Sequence, residues 1–250
     1  MTEDRVAATR ASAGQRYLET AEALIRRLTA DEWGRIDAAA ELMTEAMAKG
    51  GSIHAFGSGH SHMFAEELFY RAGGFVRIEP ILFEGLMLHA SAPLSTALER
   101  VSGLAAVILD DHPTRSGDVL LIASNSGSNA VITEMAQEAR RRGLRTIAIT
   151  SIGHATSDVG RQAKAPRLHE LVDVVIDNGG VVGDAAVEIE GLPMRVAPTS
   201  TVVVAAIANA LVAEVAERLL ARGIEPEVFS SSNVAGGDAV NRDHLRRAGA

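Results

Sequence analysis

Residues 122–129 read IASNSGSN: three serines and two asparagines around one glycine, directly after the apolar run 118–122. Such residues form turns. They also surround an anion with hydroxyl and amide donors while leaving backbone N–H groups accessible. Two further stretches share this character. Phe56-Gly-Ser-Gly-His-Ser-His62 follows the apolar run 52–56, and Ala197-Pro-Thr-Ser-Thr201 precedes a long helical pattern reaching residue 222. The first is not a dinucleotide fingerprint, because the third glycine of that pattern falls on His62, and no GK[ST] follows for a Walker loop. Three hydroxyl-rich turns, each before a helix, read together as a phosphate pocket that needs no lysine.

These turns need a scaffold that gathers them. Short apolar runs at 52–56, 118–123, 145–150 and 172–177, with a weaker one at 74–79, alternate with helical patterns at 61–73, 95–110, 129–142 and 200–222. That alternation predicts a mainly parallel sheet covered by helices on both faces, an α/β, αβα three-layer domain. Residues 13–30 and 31–50 carry apolar positions at helical spacing, with Asp31 a good N-cap, and predict a helical hairpin in front. The expected organisation is therefore a hairpin over 1–50, an αβα domain with the phosphate pocket over 51–225 and a tail over 226–250. Ligands of such sheets bind at the carboxyl ends of the strands, where the three turns fall.

Composition narrows the function classes. The chain has 250 residues, 47% of them hydrophobic, with a net charge of −8, which argues against a general nucleic-acid partner. Its only lysines are Lys49 and Lys164, so a Schiff-base mechanism has little to work with. There is no cysteine, which excludes disulfides, thiolate metal sites and cysteine nucleophiles. No apolar run reaches 18 residues and the start MTEDRVAATRAS is polar, so no membrane is expected and a cytoplasmic location is.

With these motifs in hand, the chain resembles the sugar isomerase (SIS) domain family over roughly residues 40 to 215. FGSGHS, SNSGSN as the family's phosphate loop and APTST before the last helix carry the resemblance. AEELFYRAGG (65–74), the Glu84 region and VIDNG (175–179) place it closest to an uncharacterised group classed as phosphosugar isomerases. The resemblance implies that Ser124, Asn125, Ser126, Gly127, Ser128 and Asn129 grip a sugar phosphate, with Ser58, Gly59, Ser61, Thr199 and Ser200 adding contacts. It also implies a homodimer or higher assembly through the helical hairpin. This chain departs from relatives in two places: His60 stands where arabinose-5-phosphate isomerases carry a lysine, and Arg71 where other SIS enzymes place a glutamate.

SIS chemistry removes a proton beside a carbonyl and so needs a base. Glu84 is the first candidate, expected after the second strand among Leu82, Phe83, Leu86 and Met87, where apolar surroundings suit a base. Glu67 is second, though an ion pair with Arg71 at i+4 competes for it. His60 is a candidate acid. His62 reads as a helix cap, His89 as a reserve acid or base, and His54, His112, His154, His169 and His244 as structural. His60 and His62 lack a third ligand, so no metal is expected, and no cofactor is called for. The expected substrate is an amino-sugar (N-acetylhexosamine) 6-phosphate, with elimination of water. An aldose–ketose isomerase and a non-catalytic sensor are the alternatives.

Overall fold

The computed structural model describes residues 11–157 and 166–248. Helices α1 (Ala13–Ala30) and α2 (Trp33–Ala48) come first. Ser12 and Gln15 open α1 with a reciprocal cap: Gln15 N–H donates to Ser12 Oγ (3.3 Å) and Ser12 N–H to Gln15 Oε1 (2.8 Å). Asp31 does not start α2 as expected. It closes α1, donating its N–H to the Arg27 carbonyl (2.8 Å), and the turn before α2 has no side-chain cap.

The central sheet is built from β1 (Ile53–Gly57), β2 (Ile78–Ile81), β3 (Val119–Ala123), β4 (Arg145–Thr150) and β5 (Val174–Asp177). Between them run α3 (Met63–Leu68), α4 (Ala92–Leu98), α5 (Leu104–Asp110), α6 (Ala130–Arg141), α7 (Ile152–Ala155) and α8 (Leu168–Leu171). A short antiparallel hairpin, β6 (Ala185–Val187) with β7 (Val196–Pro198), precedes the long α9 (Ser200–Ala221) and then α10 (Gly237–Ala248). Of the expected divisions, residues 1–10, 158–165, 249 and 250 lie outside the described residues.

All five strands are parallel, in the order β2-β1-β3-β4-β5. β1 and β3 are buried at every position, which explains why their sequences read as unbroken apolar runs. Alternate side chains feed two cores. Ile53, Ala55, Val119, Leu121, Ile147 and Ile149 pack with α2, α3 and α9; Phe56, Leu120, Ile122 and Ala148 pack with α5 and α6. Ile207, Leu211 and Val215 of α9 are fully buried, each worth about 1.5–3 kcal/mol relative to exposure.

The second strand differs from expectation. Its ladder begins at Ile78, because the preceding stretch pairs elsewhere: Gly73 N–H donates to the Phe229 carbonyl (2.9 Å), Phe229 N–H to Gly74 (2.9 Å) and Val76 N–H to Glu227 (3.0 Å). A partner so distant in sequence leaves no local signal. His54 is structural as expected: it is buried with its Nε2 3.1 Å from Asp118 Oδ2. Asp118 also accepts from the N–H groups of Ser52 (3.0 Å) and Arg115 (2.9 Å), fastening the amino ends of β1 and β3.

Candidate functional site

The chain leaves β1, runs out to the edge at β2, and returns to β3 on the other side of β1. The helices that follow β1 and β3 therefore lie on opposite faces, α3 on one and α6 on the other. Such a switch point opens a crevice outside the carboxyl ends of the two strands. Both hydroxyl-rich turns fall there.

The first turn is shaped by glycines. Gly59 has φ 56°, in the left-handed region, and begins a 3₁₀ turn that leads into α3. Gly57 has no room for a side chain, since a β-carbon there would strike the Ser61 carbonyl. Gly57→Ala should therefore displace the whole turn, costing on the order of 1–3 kcal/mol and most of the affinity for inorganic phosphate. Denaturant unfolding and phosphate titration measure both; an unchanged titration would show that the turn does not contact the ligand. His62 holds the N-cap position of α3 as expected, but its side chain makes no cap bond; its ring Nδ1 meets the Gly59 carbonyl within the turn.

In the second turn, Gly127 has φ 58° and its N–H donates to Ser124 Oγ (3.1 Å), closing a loop on the buried Ser124. The hydroxyls of Ser126 and Ser128 stand 3.4 Å apart. Among the described residues, the N–H groups of Asn125, Ser126, Ser128, Asn129 and Ala130 have no acceptor. Free amides, converging hydroxyls and the amino end of the 12-residue α6 form a cradle whose donors suit an anion.

The third cluster is already occupied from within. Thr199 is the N-cap of α9 but makes no side-chain cap bond. The Asp184 carboxylate takes its place: Oδ1 accepts from the N–H groups of Thr199 (3.2 Å) and Ser200 (2.9 Å), and Oδ2 from Ser200 Oγ (2.6 Å).

A cleft beside the cradle is lined by His60, Ser61, Glu67, Ser124, Asn125 and Ser200. It measures about 80 Å³. Asn178, at the end of β5, lines it too and donates from Nδ2 to Asn125 Oδ1 (3.1 Å). His60 is exposed at the rim. Glu67 is a quarter exposed and held from two sides, by an ion pair with Arg71 and by Asn209 Nδ2 of α9 (2.7 Å).

The setting expected for Glu84 is not found. It is exposed, opening a 3₁₀ turn at residues 84–86, outside the cleft. Leu86 and Met87 are buried, but Phe83 is exposed, so no apolar pocket closes over the carboxylate. The second strand ends at Ile81, two residues later than expected, which leaves Glu84 on the surface turn.

Sequence reasoning missed Glu99. It follows α4, half-buried, and its carboxylate joins the two loops: Ser58 Oγ donates to Oε1 (2.6 Å) and Asn129 Nδ2 to Oε2 (2.9 Å). No local pattern marks it, because both partners are 30 or more residues away. Among the described residues no three His, Cys, Asp or Glu side chains could hold a metal ion, and no helix is long and apolar enough to cross a membrane. A larger cavity, about 450 Å³, lies at the opposite end of the sheet near Arg77, Glu227 and His244. It has neither a hydroxyl-rich turn nor a helix amino end, so the cleft is the stronger candidate.

The doubly wound sheet and its two hydroxyl-rich turns are those of an SIS domain, and the SIS domain family model matches residues 16–151. A relative called UPF0309 protein, from Geobacillus thermodenitrificans, is 42% identical over 231 residues, 92% of this chain and 93% of the relative. The chain belongs to the SIS domain family and, within it, to the UPF0309 group. Solved structures share the fold at lower identity. A phosphoheptose isomerase from Francisella tularensis is 15% identical, with a TM-score of 0.53, and covers 80% of this chain and 95% of its own. The NanR protein of Vibrio vulnificus, complexed with ManNAc-6P, is 16% identical with a TM-score of 0.53 and covers 96% of this chain and 70% of its own.

Proposed function

We propose that this chain is an enzyme acting on an N-acetylhexosamine 6-phosphate, removing the C2 proton and eliminating water across C2 and C3. The observation that carries this reading is the cradle at Ser124–Asn129, a lysine-free anion site opening directly onto a cleft that contains a carboxylate. Ser126, Ser128 and the free amides hold the phosphate, and Ser124 holds the turn. Glu67 is the base. In the open-chain sugar it takes the C2 proton, the electron pair forms the C2–C3 double bond, and the C3–O bond breaks. His60, on the same cleft, protonates the departing oxygen. ManNAc-6P bound to a protein of this fold fits the substrate class.

Isomerisation is the second reading, and Glu99 favours it. This second carboxylate is tied to both loops through Ser58 and Asn129, and in this reading it relays a proton between the sugar's first two oxygens. Incubation with a panel of hexose, hexosamine and N-acetylhexosamine 6-phosphates in D₂O, followed by NMR, tests both. Vinyl resonances with loss of the C2 hydrogen are the expected result. Ketose signals would establish the isomerase instead, and shifted ligand signals without turnover would leave a sensor. Leu18 and Ile25 of α1 are exposed apolar side chains, which supports assembly of the helical hairpin against a second copy.

A further inference from the structure

At about 80 Å³ the cleft is smaller than small-molecule sites usually are, roughly 300 Å³ or more, so a sugar phosphate held there would extend beyond it. A productive complex therefore needs another wall. The β6–β7 hairpin is the element placed to supply it. It joins β5 to α9, and both of its ends border the cleft, through Asn178 and Ser200. Strain sits near both joints: Asp184, just before β6, has φ 67° and Ala197, inside β7, has φ 62°, a region that residues with side chains seldom adopt. Strain of this kind gathers at parts that move. Beyond the joints the hairpin exposes Ile189, Leu192 and Met194, the last at 73%.

Asp184 holds the hairpin in its present position through three hydrogen bonds to the amino end of α9. Those donors would otherwise serve a ligand anion. The neighbouring Thr199 hydroxyl is fully buried and has no partner among the described residues. A second set of contacts joins the hairpin root to the phosphate cradle. Asn125 accepts from Asn178 (3.1 Å), Asn178 Oδ1 accepts from Gly180 N–H (2.8 Å), and the Gly180 carbonyl accepts from Ser151 Oγ (2.5 Å). These contacts link the cradle to the root of the hairpin.

We propose that Asp184 is a latch: its carboxylate stands in for the ligand's anion at the amino end of α9, and phosphate in the Ser124–Asn129 cradle releases it, so that the hairpin closes over the sugar. The proposal rests on the phosphate reading of that cradle. Release has two sources, repulsion between the incoming phosphate and a carboxylate bonded to Ser200 on the wall of the same cleft, and the strain relieved at Asp184 and Ala197.

Hydrogen exchange by NMR, with inorganic phosphate as the probe, tests it. In the wild-type protein, phosphate that shifts the Ser126 and Ser128 amides should raise exchange of the 185–187 and 196–197 amides by roughly tenfold, a local opening rather than global unfolding. Asp184→Asn should exchange fast without phosphate, respond little to it, and bind it several-fold more tightly. Ala197→Gly removes strain from the latched state and touches none of the donors, so hairpin exchange should fall below wild type. Phosphate that shifts the cradle amides without altering hairpin exchange overturns the latch and leaves the phosphate reading intact. So does weaker phosphate binding by Asp184→Asn, which would make Asp184 a fixed cap. No phosphate binding at all overturns both.

Discussion

Glu67→Gln stops exchange of the substrate's C2 hydrogen with D₂O and lowers turnover by roughly 10² to 10⁴, the contribution of a positioned general base. Affinity for the phosphorylated sugar stays near wild type, because the cradle at the head of α6 is untouched. The expectation follows from placement. Glu67 is on the cleft wall beside His60 and Ser61, with Arg71 and Asn209 fixing its carboxylate from either side. Glutamine keeps the shape and can still accept from Asn209, yet it cannot take the proton. Glu84→Gln is the matched control and should turn over at the wild-type rate, since an exposed carboxylate outside the cleft does not reach the sugar. Lost exchange in the Glu84 variant with normal exchange in the Glu67 variant would reverse the assignment. Normal exchange in both would move the base to His60 or Glu99.

Features encoded by neighbours in sequence were legible, and features encoded by distant pairings were not. β1 and β3 could be read because a strand buried on both faces must be apolar throughout. The turns after them could be read because glycine at positive φ and small hydroxyls are local requirements. Their convergence followed from topology, since a parallel sheet puts the carboxyl ends of its strands on one side. Glu99 left no such trace. It sits in an ordinary helical pattern, and its meaning comes only from Ser58 and Asn129, 41 and 30 residues away.

Glu84 shows the complementary failure. Its apolar neighbours looked like an enclosing pocket, but neighbours in sequence need not face the same side of a surface turn. Asp184 is subtler. APTST was read as donors for a ligand, and the donors are there, but the chain supplies its own anion to them. Hydroxyl clusters at helix ends locate sites where negative charge is welcome; they do not say whose charge it is.

That distinction singles out the Ser124–Asn129 loop for the most direct test of phosphate recognition. Ser126→Ala combined with Ser128→Ala should weaken binding of a sugar 6-phosphate by a few kcal/mol, each hydrogen bond to a charged group being worth about 1.5–3 kcal/mol. That is on the order of a hundredfold or more in Kd. Ser124 is left intact on purpose: its Oγ accepts from Gly127 N–H and keeps the turn in shape, so altering it would confound loss of contact with loss of the loop. Ser126 and Ser128 carry no such duty, as their hydroxyls contact only each other, at 3.4 Å, among the described residues. The free amides remain in the double variant, so binding should weaken without vanishing. The matching unphosphorylated sugar, titrated by calorimetry or NMR, should bind the wild type and the double variant alike. Equal weakening of both ligands would mean that the serines hold the sugar ring, and the cradle would no longer be a phosphate site.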